Sequence, residues 1–122
     1  MKINHGFFII LIAVVLHSCK TDDTYLNKQI LGYWDVYGSE INNKPNDFMK
    51  NAWFHFESNN NVTSNLFENE QSRIFDISNG KLNINTKDNF SMEIAKLEND
   101  TMFLEGKLKY YYMEYFLVKR KS

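Results

Sequence analysis

The chain predicts an all-β fold: an antiparallel, up-and-down, eight-stranded barrel after an N-terminal signal peptide. Three observations carry this. Apolar and polar residues alternate through eight short runs between residues 31 and 120, the two-residue period of half-buried strands. Asn-rich breaks separate the runs, and Asn79-Gly80 is the strongest hairpin signal, because both residue types tolerate the positive φ of a type I′ turn. The later links are too short for parallel crossovers, which need about a dozen residues, so neighbouring strands pair antiparallel. Strands in meander order leave open edges unless the sheet closes on itself. A sandwich of two four-stranded sheets is the open alternative.

Ahead of the strands, Lys2 precedes an apolar run of ten residues, Phe7 to Leu16. A helix of that length rises about 15 Å, half of the roughly 30 Å of bilayer hydrocarbon, so the run is too short to span. It reads as a secretory signal, with a buried core segment as the alternative. The run ends in Leu16-His17-Ser18-Cys19. This resembles the lipobox of bacterial lipoproteins, with His17 an unusual occupant of its loosest position. The resemblance implies a signal peptide over residues 1–18, cleavage before Cys19, and acylation of Cys19, palmitate included. A free thiol behind an ordinary cleavage site is the alternative. Cys19 is the only cysteine, so no internal disulfide forms and the domain relies on its apolar core.

Lys20-Thr21-Asp22-Asp23 resembles the lysine-plus-acidic signal that sends some Gram-negative lipoproteins to the outer surface of the outer membrane. The plainer reading is a solvated tether over residues 19–29, with a turn of helix near Tyr25-Leu26. The folded domain is then expected over residues 30–122, one domain of ordinary size. The formal net charge is −1, and cleavage removes only Lys2 among the charged side chains. With no basic stripe to neutralise phosphates, nucleic acid is excluded as a partner.

The strands follow in order. Leu31–Ser39 places Trp34 and Val36 on one face and Tyr33, Asp35 and Tyr37 on the other. Asn42 to Asn46, with Pro45, breaks it, and Asp47–Ala52 suits one helical turn. Trp53–Glu57 sets Phe54 and Phe56 against Trp53, His55 and Glu57. Val62–Phe67 is the third run, and Arg73–Ile77, with Phe75 and Ile77 on one face, the fourth. Lys81–Asn85 turns Leu82 and Ile84 inward. Phe90–Leu97 alternates Phe90, Met92 and Ile94, and Thr101–Glu105 pairs Met102 with Leu104. The last run, Tyr110–Arg120, is apolar on both faces: Tyr110, Tyr112, Phe116 and Val118 against Tyr111, Met113, Tyr115 and Leu117.

Gly32-Tyr33-Trp34 resembles the Gly-x-Trp signature that opens lipocalins. The region 30–120 is similar to the small lipocalin-like domains of bacterial lipoproteins, with an aromatic second strand and a last strand ending in the basic Lys119-Arg120. The resemblance implies a lipid-anchored envelope protein that binds a small apolar ligand, and packing of Trp34 against Arg120 at the closed end. The strands are shorter than in larger lipocalins, and no long helix follows the last one. The expected ligand wall is Trp34, Phe54, Phe56, Phe75, Phe90 and Phe116, although such aromatics also fill ordinary cores. Since no charged residue is read as inward-facing, the expected ligand is small and neutral.

Catalytic chemistry finds little support. His55 is the only histidine after Cys19, so neither a multi-histidine metal site nor a choice of catalytic bases exists. Glu68-Asn69-Glu70 reads as a solvated turn that could at most hold calcium weakly. No phosphate loop or nucleophile elbow occurs, and no metal or other cofactor is expected. The expectation is a protein without enzymatic activity. Beside the carrier reading stands a second: a protein-binding lipoprotein with a filled barrel, an accessory subunit or an inhibitor of an envelope protein. Its expected interface is Tyr111, Met113 and Tyr115, since Tyr and Met are enriched at interfaces. Alternatively, that face is shielded within the fold. Replacing Cys19→Ala should leave an unprocessed precursor that incorporates no labelled palmitate; a mutant that is still acylated would refute the anchor.

Overall fold

A computed structural model describes residues 22–121. The expected signal peptide, Cys19 and the start of the expected tether lie outside the described residues. All eight predicted runs are strands: β1 (Gly32–Ile41), β3 (Trp53–Phe56), β4 (Asn61–Ser64), β5 (Arg73–Ser78), β6 (Lys81–Ile84), β7 (Phe90–Glu98), β8 (Thr101–Leu108) and β9 (Tyr111–Lys119). Each pairs antiparallel with its neighbour in sequence, and β9 returns to pair with β1. The sheet is therefore a closed up-and-down barrel with no open edge among these eight strands, and not a sandwich. A further two-residue strand, β2 (Lys44–Pro45), folds back on the end of β1 through Asn42-Asn43, both at positive φ.

Asparagine punctuates the chain as its turn chemistry requires. Asn51, Asn60, Asn69, Asn79, Asn89 and Asn99 also take positive φ, which Asn tolerates better than most residues with a Cβ. Asn79 (φ 53°) and Gly80 (φ 75°) form the expected hairpin turn between β5 and β6. Two strands are irregular. The register slips between Val36 and Gly38 in β1 and between Ile94 and Lys96 in β7. Such bulges bend a strand, and here they let β1 and β7 follow the barrel wall.

The tether is shorter than expected. Asp23–Gln29 forms a helix, α1, and Leu26 and Ile30 are buried in the core. Asp22 caps it, its side chain accepting from the Thr24 amide at 3.1 Å. The Asp23 carboxylate accepts from the amides of Asn79 and Gly80 at 2.8 and 2.9 Å, fastening α1 to the β5–β6 turn. The turn of helix expected near Tyr25-Leu26 is present; its docking on the core was not foreseen, because α1 is short and polar, with an apolar side chain inward at Leu26 and just past its end at Ile30. The folded unit thus includes Asp23–Gln29, ahead of the expected start at Ile30. The helix, the closed sheet and the core of the described residues all lie within residues 22–121, so residues 20–122 contain each of them whole.

Trp34 plugs the end that α1 covers. It is fully buried, and its indole Nε1–H donates to the Ile30 carbonyl at 2.7 Å. Gly32, at φ 120°, turns the chain from α1 into β1, a conformation that residues with a side chain rarely adopt. The cation over Trp34 is Lys119, whose Nζ lies 5.2 Å from the ring and also donates to the Gln29 carbonyl. Arg120 stacks instead on Tyr33, at 4.9 Å, and pairs with Asp35 on the outer surface. The expected Trp34–Arg120 contact is thus one residue out of step. Lys119 is the partner of Trp34 in the β1–β9 ladder, and neighbouring residues point to opposite faces.

Above Trp34 the interior is filled. Phe75 meets Phe56 edge-on, with ring centres 5.1 Å apart, and Phe56 stacks on Phe54 at 6.0 Å. Val62, Leu82, Met102 and Leu117 complete this layer with no exposed surface. Trp34→Ala in residues 20–122 should destabilise the fold by about 3–5 kcal/mol in chemical denaturation, the range for truncating a buried aromatic. Arg120→Ala should leave the midpoint nearly unchanged, and equal losses would contradict the assignment of Trp34 as the plug.

Candidate functional site

The opposite end of the barrel is open. Four connections surround it: residues 46–52, the β4–β5 loop with a 3-10 turn at Glu68–Glu70, the β6–β7 loop and the β8–β9 turn. Between them lies a cavity of about 400 Å³. Its apolar lining includes Phe48, Met49, Phe54, Leu66, Phe67, Phe90, Leu108 and Tyr115. Phe48, Leu66 and Leu108 are 73, 45 and 43 % exposed, an unusual state for large apolar side chains that share one concavity.

Short polar side chains hold these loops in place. Asn46 Oδ1 accepts from the Phe48 amide at 2.8 Å and from the Ser39 hydroxyl at 3.1 Å, a turn that leaves Phe48 outside while Met49 is buried. Asn65 bridges two walls. Its Oδ1 accepts from the Trp53 amide at 3.0 Å, and its Nδ2 donates to the Asn51 carbonyl at 2.9 Å. Thr86 Oγ1 accepts from the Phe90 amide at 3.2 Å and sets the entry of β7.

The structure divides the expected ligand wall. Phe54 and Phe90 line the mouth, with ring centres 6.3 Å apart. Trp34, Phe56 and Phe75 lie in the sealed interior and are core. Phe116 faces outward, against Phe103 at 5.2 Å and Tyr37 at 6.3 Å. The expected interface trio is corrected in the same way. Met113 and Tyr115 are 5 and 4 % exposed and point into the barrel, while Tyr111, 53 % exposed, sits beside the β8–β9 turn. Pairing of Leu104 with Tyr115 and of Phe103 with Phe116 sets these faces. Burial pushes the Tyr115 phenol up from its ordinary value.

Several mouth residues were not foreseen. Phe48 lies in a loop, where no periodicity marks it; Leu66 falls in the expected third run but lies past the end of β4, and Leu108 lies beyond the expected end of β8. Arg73 had a signal: it is two residues before Phe75 and four before Ile77, on the same face of β5. It sits opposite the buried Val62 and lines the mouth. The expectation of a purely apolar wall is therefore corrected. Glu68, Lys87 and Asp88 also reach the mouth, from exposed loop positions.

The outer wall carries two other clusters. His55 stacks on Tyr33 at 3.8 Å with the rings nearly parallel. Asp35 accepts from Arg120 Nη2 at 2.6 Å and from Nε at 3.0 Å, and that hydrogen-bonded guanidinium holds its carboxyl below the ordinary value. Across β7, β8, β9 and β1 runs a row of four glutamates: Glu93 opposite Glu105, Glu105 opposite Glu114, and Glu114 opposite Glu40. The Tyr112 hydroxyl donates to Glu105 at 2.6 Å, which, with burial, pushes its phenol up to about 12. Among the described residues no group of three or more His, Cys, Asp or Glu is placed to hold a metal ion.

No family model, no curated protein and no solved structure matches the chain. The glutamate row yields a test. Burial first, then Glu40 and Glu105, push the Glu114 carboxyl above its ordinary value of 4.5. The folded state thus favours the protonated form, and stability falls as pH rises through the raised value. Glu114→Gln should raise the melting temperature near neutral pH, on the scale of about 0.5 kcal/mol for an opposed like-charge pair. It should give no gain at about pH 4, where the unfolded chain is largely protonated too. A gain of equal size at both pH values would rule out the carboxylate repulsion.

Proposed function

We propose that this chain is a lipid-anchored, lipocalin-like lipoprotein of the bacterial envelope, held on the outer membrane, that carries a small, largely apolar ligand in the barrel mouth. The observation that supports this best is the contrast between the two ends. One is capped by α1 and plugged by Trp34, and the other opens into an apolar cavity of about 400 Å³. That volume is at the low end for small-molecule sites, so the ligand is small. Burial of about 200 Å² contributes roughly 5 kcal/mol before ordering costs, which makes micromolar or weaker binding the expectation.

The anchor fits this arrangement. Cys19 precedes Asp23 by four residues, a reach of at most about 14 Å. Acyl chains on Cys19 would lie beneath the α1 end, with the mouth turned away from the membrane. The function is read as binding rather than catalysis, since the one histidine after Cys19 stacks on Tyr33 on the outer wall and does not line the mouth.

A second reading rests on the outer wall. Tyr33 and Tyr37 are 40 and 61 % exposed beside Trp53 and Arg120, the residue types that dominate protein interfaces. There the protein would grip an envelope partner through β1 and β3. One titration separates the two. The neutral fluorophore phenylnaphthylamine should bind residues 20–122 with micromolar or weaker affinity, and Phe90→Trp, which narrows the mouth, should weaken it without lowering the melting temperature. If the fluorophore does not bind at all, the carrier reading fails. Tyr37→Ala with Trp53→Ala should then abolish capture of the partner.

A further inference from the structure

Arg73 is out of place in an apolar mouth. Its position on β5 is inward, opposite Val62 and in line with Phe75 and Ile77. The side chain is half-buried, and its Nε is fully buried without a hydrogen-bond partner. An unpaired buried donor on a charged group is one of the costlier defects a fold can carry. No carboxylate neutralises it: among the described residues the one ion pair is Arg120–Asp35, on the outer wall. The other mouth charges, Glu68, Lys87 and Asp88, are exposed on loops and screened by water and salt.

We infer that the mouth selects a single-chain amphiphile with a carboxylate head, which the Arg73 guanidinium holds through its Nη–H groups. This rests on the carrier reading and names its ligand class. The guanidinium fork presents paired N–H donors matched by the two oxygens of a carboxylate, and the head would neutralise a cation that no carboxylate of the described residues pairs. From Arg73 the tail lies over Phe67, Phe90 and Phe54 and leaves across the exposed Leu66 and Leu108. A neutral ligand of equal length gains the same apolar contact but leaves the guanidinium charge unpaired.

The test compares heads on one tail. Decanoate, decanol and decylamine compete for phenylnaphthylamine bound to residues 20–122. Decanoate should displace it at a concentration about tenfold lower than decanol, as one charge-assisted pair allows, with decylamine the weakest. Arg73→Leu should erase the preference for decanoate while the fluorophore still binds, and Arg73→Lys, which keeps the charge without the fork, should restore only part of it. Equal displacement by decanoate and decanol on the unaltered protein overturns the inference while the carrier reading stands. So does a preference for decanoate that survives in Arg73→Leu. Loss of all fluorophore binding to the unaltered protein overturns both. The comparison on the unaltered protein decides the matter even if the Arg73 variants do not fold.

Discussion

The ladder between β1 and β9 is the constraint on which the rest depends. It joins the first strand to the last, from Trp34 opposite Lys119 to Ile41 opposite Met113, and leaves none of the eight wall strands unpaired. Closure also sets the interior. Once β9 is in register with β1, Met113, Tyr115 and Leu117 must point inward, and Tyr112, Glu114 and Phe116 outward. The same register puts Lys119 over Trp34 and carries Arg120 outside to Asp35. A shift of one residue would reverse every one of these assignments.

The ends of the barrel differ because the chain spends its apolar residues unevenly. Trp34, Phe56, Leu26 and Ile30 sit where α1 closes the sheet, and nothing comparable closes the mouth. There Met49 and Phe67 pack against the core, while Phe48 and Leu66 remain partly in water. A small domain without disulfides must draw its stability from one sealed region, and here the sealed region lies below the mouth. The loops above it are held by Asn46, Asn65 and Thr86 through hydrogen bonds, most of them at exposed or part-buried positions, so the site is the less stable half of the fold.

Much of the wall was legible in the sequence, because two-residue alternation and Asn-rich turns are local signals. Asn79-Gly80 specifies its turn by φ alone. The last strand was misread because both of its faces are apolar, so alternation cannot say which is inside; only the partners Leu104 and Trp34, distant in sequence, decide it. A turn of helix was legible near Tyr25-Leu26, but its polarity hid its docking on the core. The mouth was half legible: Phe54 and Phe90 belong to strands, whereas Phe48 comes from a loop and Leu66 lies where β4 stops short of the expected run. Arg73 was hidden for another reason. An arginine at the start of a strand is ordinarily solvated, and only its shared face with Phe75 and Ile77 marks it as inward.

The bond between Asp23 and the β5–β6 turn has a mechanical side. Tension on the chain ahead of Asp22 passes first into the two hydrogen bonds from Asn79 and Gly80, and only then into α1 and the start of β1. The load is therefore shared with the far side of the barrel before it reaches the β1–β9 seam. The first strand, whose departure would open the sheet, is shielded from a pull at its own terminus. A domain tugged from its N-terminal side would yield by losing its helix before losing its wall.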